Sequence, residues 1–331
     1  MFSCAWPLLL VTLAAGEDGF TEPLADKRSD PEYGYKLTKE EAAEGWIALF
    51  DGKTTFGWLG SRIDVVDKPM LVGGETSSRF GAGTLNLVVA RPGTLTVGGQ
   101  KHELKPGRMK LTLAGPPAHL QASGELALAR IDYLPTDLAG LFDGTNFTDW
   151  TPLAYPKAKD PKVQWKVEQG IILAKGGPGA LEYRPGGQEF LAGDFLLQVD
   201  ARTRAPHTNG GVFLRNQPGT VMMGYEAQIH HRVYDTRKGE GGCCTGSIDD
   251  RQHARRLVAR DGELFRLTAV LSGPHIALWV NGYQTADWTD TRAADDNPRR
   301  GQRIAPGTLQ LQAHDPETDL EFHRVLMQRW E

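Results

Sequence analysis

Apolar and polar residues alternate in short runs along most of the chain. Between residues 60 and 133 the runs are Thr84–Val89, Thr94–Val97, Met109–Leu113 and Glu125–Ile131, separated by Gly, Pro and charged turns. A period of two over runs this short predicts antiparallel strands with one wet face. Beyond residue 136 the pattern continues through Val163–Val167, Ile171–Ala174, Phe195–Arg202, Gly211–Arg215, Tyr225–His230, Phe265–Leu271, His275–Val280, Thr308–Ala313 and Leu320–Met327. No helical period of comparable length intervenes, so the expected fold is all-β, with two packed antiparallel sheets in the second half. One short helix is expected at Thr38–Ala43, capped by Thr38 with Glu41 in position to reciprocate. Two segments resemble each other: Trp46–Trp58 (WIALFDGKTTFGW) and Leu138–Trp150 (LAGLFDGTNFTDW). Each places an Asp-Gly turn between aromatics, and each is expected to open a β-unit.

A length of 331 residues suggests two domains. Hydrophobic residues at 40% and charged residues at 24% support a sizeable core. Gly 39 and Pro 20 fit many short elements joined by tight turns and argue against a helical bundle. Lys+Arg 37 against Asp+Glu 41 leaves a net charge of -4, which lacks the basic excess of a nucleic-acid binder. Met1–Ala15 is too short to span a bilayer and fits a secretory signal, with a membrane anchor as the alternative. The expected organisation is a signal at 1–15, a linker at 16–45, a small β-rich accessory domain at 46–134 and a β-sandwich at 137–331. The expected location is secreted or periplasmic, without stable membrane insertion after cleavage. Past the leader only Cys243 and Cys244 remain. They read as buried small residues, a vicinal disulfide or a metal site, the last lacking the usual spacing.

Alternation also sorts candidate chemistry by face. Glu226, Gln228 and His230 share one face of their strand, opposite Tyr225, Ala227 and Ile229. Asp200 and Arg202 lie opposite Phe195, Leu197, Val199 and Ala201. Phe213 and Arg215 lie opposite Val212 and Leu214, and Gln310 and His314 opposite Leu309, Leu311 and Ala313. Amides, guanidinium forks and an aromatic ring suit hydroxyl recognition and sugar stacking. The alternative is an ordinary wet sheet face with local pairs. Asp249–Arg260 is locally basic, either a solvated face or an anion-contacting wall. No HExxH, GxSxG or Rossmann fingerprint is present.

Several motifs in order resemble the 3-keto-disaccharide hydrolase family. They are Leu141-Phe142-Asp143-Gly144 with Trp150, Asn209–Arg215 (NGGVFLR), Gly224–Ile229 (GYEAQI), Thr245–Ile248 (TGSI), Trp279–Gly282 (WVNG), and Thr308–His314 with Asp319–Arg324. The resemblance covers about residues 137–331. It implies a concanavalin-like antiparallel β-sandwich, or jelly roll, and an exported protein with a carbohydrate ligand or substrate. It also implies hydrolysis of glycosides already oxidised to a ketone at C3. His230-His231 stands where the family often has Asp.

A C3 ketone acidifies the C2 proton. A base can remove it, the C1 substituent leaves, and water adds back. Glu226 or His230 is the expected base, Arg215 the oxyanion or hydroxyl contact, and His314 a second acid or base. Gln228, Asn209, Phe213, Asp200, Arg202 and Gln310 are the expected substrate contacts. This chemistry requires no cofactor. A divalent cation on the ketone and enolate oxygens is an alternative, with Glu226, His230 and His231 as candidate ligands, though adjacent strand residues point opposite ways. The runner-up function is a non-catalytic carbohydrate-binding module.

Overall fold

The computed structural model of the chain describes residues 37–155, 163–232 and 244–330. The expected leader, the linker up to residue 36 and Cys243 lie outside the described residues. The first element is α1 (Lys39–Glu44). The Glu41 N–H donates to Thr38 Oγ1 at 3.1 Å, and the Thr38 N–H donates to Glu41 Oε2 at 2.9 Å. This is the reciprocal cap that the Thr38–Glu41 spacing predicts. Among the described residues no helix is long and apolar enough to cross a membrane.

Among the described residues every strand pairing after α1 is antiparallel, and one short 3-10 turn, Pro185–Gly187, interrupts the strands. The N-terminal unit holds β1 (Ile47–Ala48), β2 (Trp58–Leu59), β3 (Arg62–Val65), β4 (Pro69–Thr76), β5 (Gly83–Arg91), β6 (Gly93–Val97), β7 (Gln100–Leu104), β8 (Gly107–Leu113) and β9 (Leu120–Pro135). The C-terminal unit begins with β10 (Ala139–Gly140), β11 (Trp150–Ala154), β12 (Gln164–Glu168), β13 (Ile171–Lys175), β14 (Gly179–Tyr183), β15 (Asp194–Thr203) and β16 (Asn209–Asn216). It continues with β17 (Tyr225–His230), β18 (Phe265–Ser272), β19 (His275–Val280), β20 (Tyr283–Thr289), β21 (Thr308–Ala313) and β22 (Asp319–Trp330). Its strands form a large sheet, ordered β12-β13-β22-β15-β18-β19-β20 with β10 beside β22, and a small sheet, ordered β11-β14-β21-β16-β17. Their facing sides share one apolar core, including Leu197, Val199, Val212, Leu214, Ala227, Ile229, Leu267, Leu278, Leu311 and Phe322. This is the expected all-β sandwich of two packed antiparallel sheets.

The two units repeat one connection order. In the N-terminal sheet β3, β4, β9, β5 and β8 lie side by side, as β12, β13, β22, β15 and β18 do in the large sheet. β1 joins β9 as β10 joins β22. The long β9 does the work of two strands. Its start pairs with β6, as β21 pairs with β16, and its end pairs with β5, as β22 pairs with β15, while β4 runs beside both parts, at Gln121–Ala122 and at Ala127–Leu128. The β19–β20 hairpin has no counterpart among β1–β9.

The repeated turn folds the same way in both units. Trp58 Nε1 donates to the Leu49 carbonyl at 2.6 Å, and Trp150 Nε1 to the Leu141 carbonyl at 3.0 Å. Asp51 Oδ1 accepts from the backbone of Lys53 and Thr54, and Asp143 Oδ1 from that of Thr145 and Asn146. Asx turns of this kind satisfy backbone donors that the chain reversal leaves open.

The N-terminal unit packs on the outer face of the large sheet. Leu196, Val270, Ala277 and Trp279 leave that face to join a core with Ile47, Phe50, Leu71, Phe80, Leu85 and Tyr133. Burying one such side chain contributes about 1.5–3 kcal/mol. Trp279 Nε1 donates to the Ala48 carbonyl at 3.0 Å, and Gln198 Nε2 to the Gly45 carbonyl at 2.9 Å. Arg255 clamps the N-terminal turn: it donates to Asp51 Oδ2 at 3.0 Å and lies 3.9 Å over the Phe56 ring. The basic stretch Asp249–Arg260 is a loop, and Arg255 spends its charge on this contact.

Candidate functional site

The outer face of the small sheet carries polar groups in register. One row across it runs Glu182, Gln310, Phe213, Glu226, and the next runs Ala180, Gln312, Gly211, Gln228. A third rung holds His230 opposite Asn209, with His314 beyond, its N–H donating to the Asn209 carbonyl at 3.2 Å. These side chains share a face because their neighbours Tyr225, Ala227, Ile229, Val212, Leu311 and Ala313 all point into the core.

The 217–224 loop between β16 and β17 folds back over the first row. Glu182 Oε2 accepts from the Gly219 N–H at 3.0 Å and from Gln310 Nε2 at 2.8 Å. Gln310 Nε2 also donates to the Thr220 carbonyl at 2.7 Å, and Val221 packs on Phe213 and Ala180. Phe213 and Gln310 are therefore fully buried and open to no ligand, which corrects their expected role in substrate contact. Glu182, on a strand that the sequence reading passed over, anchors the covering loop.

Glu226 sits where the covered and open parts meet. Its carboxylate is 3% exposed. Arg299 Nη1 donates to its Oε2 at 3.1 Å, and the other arm of Arg299 meets Asp249. With its amide turned toward Glu226, Gln228 donates to Glu226 Oε1 at 2.9 Å and to the Gly210 carbonyl at 3.2 Å. Burial, then the nearby Asp249 charge, pushes the Glu226 carboxyl up to about 7, against the pull of Arg299. The group thus exchanges its proton near neutral pH. Burial holds the His230 imidazole below its ordinary value, opposed by Asp315. His314 Nδ1 lies 2.7 Å from Asp315 Oδ1 and 3.2 Å from Asn209 Nδ2. A carboxylate behind an imidazole orients it for proton transfer. The structure thus brings together Glu226, Gln228, His230, Asn209 and His314.

It does not bring Arg215, Asp200 or Arg202 to them. A bulge between Phe213 and Asn216 breaks the alternation, and Arg215 takes a left-handed φ of 48°. Its guanidinium is 0% exposed and crosses to the large sheet, donating to the carbonyls of Gly193 (2.7 Å), Gly273 (2.6 Å) and Arg303 (3.2 Å) and to Asp194 (2.8 Å). Arg215 is a strut between the sheets, not an oxyanion contact. Asp200 and Arg202 stand on β15, in the other sheet. Asp200 is buried against Arg266, which donates to it at 2.6 and 3.0 Å, and Arg202 pairs with Glu321 at 2.7 Å. Alternation assigned their face correctly; it carries no information on which sheet a strand joins.

His231 turns away from Glu226. Its ring meets Phe265 edge-on at 5.1 Å, and burial lowers it to about 4. The ligand set of Glu226, His230 and His231 is therefore not assembled, and among the described residues no cluster of three or more His, Cys, Asp or Glu could hold a metal ion. Cys244 is a buried free thiol, raised to about 12 by that burial. Arg299, Asp249, Asp315 and Gln312 complete the site. Nothing in the sequence separates Arg299 from Arg300; only the loop that carries them does.

The sequence profile of the 3-keto-alpha-glucoside-1,2-lyase-like domain matches residues 138–325. Among solved structures, a proposed glycosyl hydrolase from Parabacteroides distasonis is 19% identical over 58% of this chain and 93% of its own, with a TM-score of 0.45. A second such protein from the same species is 21% identical over 54% of this chain and 98% of its own, at 0.40. A carbohydrate-binding module from Bacillus subtilis is 12% identical over 55% and 97%, at 0.37. No curated protein matches the chain.

Proposed function

The chain belongs to the 3-keto-alpha-glucoside-1,2-lyase-like family, and from that premise we propose that it cleaves the glycosidic bond of 3-keto-glycosides. The observation that carries this reading is Glu226: a buried carboxyl raised to about 7, on a polar sheet face among amide and imidazole groups. A base with that affinity for protons suits removal of a C–H proton made acidic by a neighbouring ketone.

Glu226 takes the C2 proton. The C2–H electrons form the C2–C3 enolate, with negative charge on the former ketone oxygen. As that charge returns, the C1–O bond breaks and the leaving oxygen takes a proton, for which His314 beside Asp315 is the donor. Water then adds at C1 and a proton returns to C2, giving net hydrolysis. Arg299 holds Glu226 in place and takes over the cationic position first expected of Arg215. The leader-like residues 1–15 support an exported location.

The test is to incubate the protein with a 3-keto-disaccharide and with its unoxidised parent, and to follow free sugar. Release from the keto sugar alone is expected, with Glu226→Gln slower by roughly 10²–10⁴-fold. Binding of either sugar without release would leave a carbohydrate-binding module in its place.

A further inference from the structure

Gly211 lies in β16, between Gln312 of β21 and Gln228 of β17. Its φ is not among the positive ones, so the backbone there would accept any residue. What the missing side chain allows is the close approach of its neighbours to the strand. A methyl group on Gly211 would sit 3.0 Å from Glu226 Oε1, 3.1 Å from Gln312 Oε1 and 3.0 Å from the Ala227 carbonyl. Oxygen acceptors thus converge on one notch in the sheet.

Gln312 is 2% exposed, and its Oε1 has no hydrogen-bond partner among the described residues. A buried carbonyl oxygen left without a donor is costly in a folded protein. We infer that this notch is a hydroxyl-binding subsite, in which Glu226 Oε1 and Gln312 Oε1 jointly accept from one hydroxyl of the sugar whose C2 proton Glu226 removes. The inference rests on the function proposed above and makes Gln312 the residue that selects for that hydroxyl. Sharing one hydroxyl between the base and a fixed amide also registers the ring against Glu226 before proton transfer.

The test uses a 3-keto C-glycoside, whose C1 substituent cannot leave, and its mono-deoxy analogues, with affinities measured by calorimetry. Wild-type protein should bind the parent, and bind one deoxy analogue roughly 10- to 100-fold more weakly. Gln312→Leu should weaken the parent by a similar factor and no longer distinguish it from that analogue, while Gln312→Glu should keep the preference. Melting gives a second readout. Leucine removes an unsatisfied oxygen, so Gln312→Leu should melt no lower than wild type. Parent binding within twofold of wild type in Gln312→Leu, or a melting point several degrees lower, overturns the subsite. Failure of the wild-type protein to bind the parent overturns the proposed function and the subsite with it.

Discussion

Glu226 is a carboxyl whose burial works against its charge. Its pKa is raised from 4.5 to about 7 on folding, so the folded protein binds the extra proton between those values. Its contribution to stability is full below about pH 4.5 and is lost as pH rises through 7. At about 1.4 kcal/mol per unit, the loss approaches about 3 kcal/mol. Glu226→Gln removes the titration. The melting point of the variant relative to wild type should therefore rise from pH 5 to pH 8; a difference that is flat across that range would count against the raised pKa. Cleavage of the keto sugar should rise with pH through about 7 as the base ionises. Arg215 behaves differently. Its guanidinium bonds to Asp194 and to three carbonyls, so Arg215→Ala should cost about 3–5 kcal/mol in a denaturant titration, by stranding them. The Val212–Arg215 alternation carries no sign of this placement, because a bulge is a backbone event.

Period-two patterning found β17, β19 and β21 to the residue, and with them the shared face of Glu226, Gln228 and His230. It passed over β14, whose sequence GALEY holds a single polar side chain, Glu182, with Ala180 as its partner on the outer face. One polar residue in five sets no period that alternation can read. For that reason Glu182, and the loop it pins over Phe213 and Gln310, were invisible in the sequence. The repeated turns were legible, and they make a controlled pair. Asp143 is exposed and, among the described residues, bonds only within its own turn, while the Asp51 carboxylate is 6% exposed and also receives Arg255. Asp51→Ala should therefore destabilise the protein by about 1–3 kcal/mol, and Asp143→Ala by less, when both are compared by chemical denaturation.

Across the whole molecule, the order of strands in the large sheet reappears in the N-terminal unit, and the two are joined by a core rather than a linker. Sequence showed that each unit opens on the same Asp-Gly-Trp turn. It could not show the shared topology, because strand order is fixed by contacts between segments far apart in the chain. It also could not show that Gln198, Asp200 and Arg266 face the inter-unit side of the sandwich rather than a ligand. Residues 137–331 expressed alone would expose Leu196, Val270, Ala277 and Trp279, an apolar patch of the kind that drives association. That fragment should aggregate or melt well below the full chain in light scattering and calorimetry; a fragment as stable and monomeric as the parent would show the shared core to be dispensable. Trp279, 1% exposed with its indole anchored to the Ala48 carbonyl, is also a natural optical reporter. Peeling the first unit from the second would wet that ring and shift its emission to longer wavelength. Separation of the two units would then be visible in the intact chain without any added label.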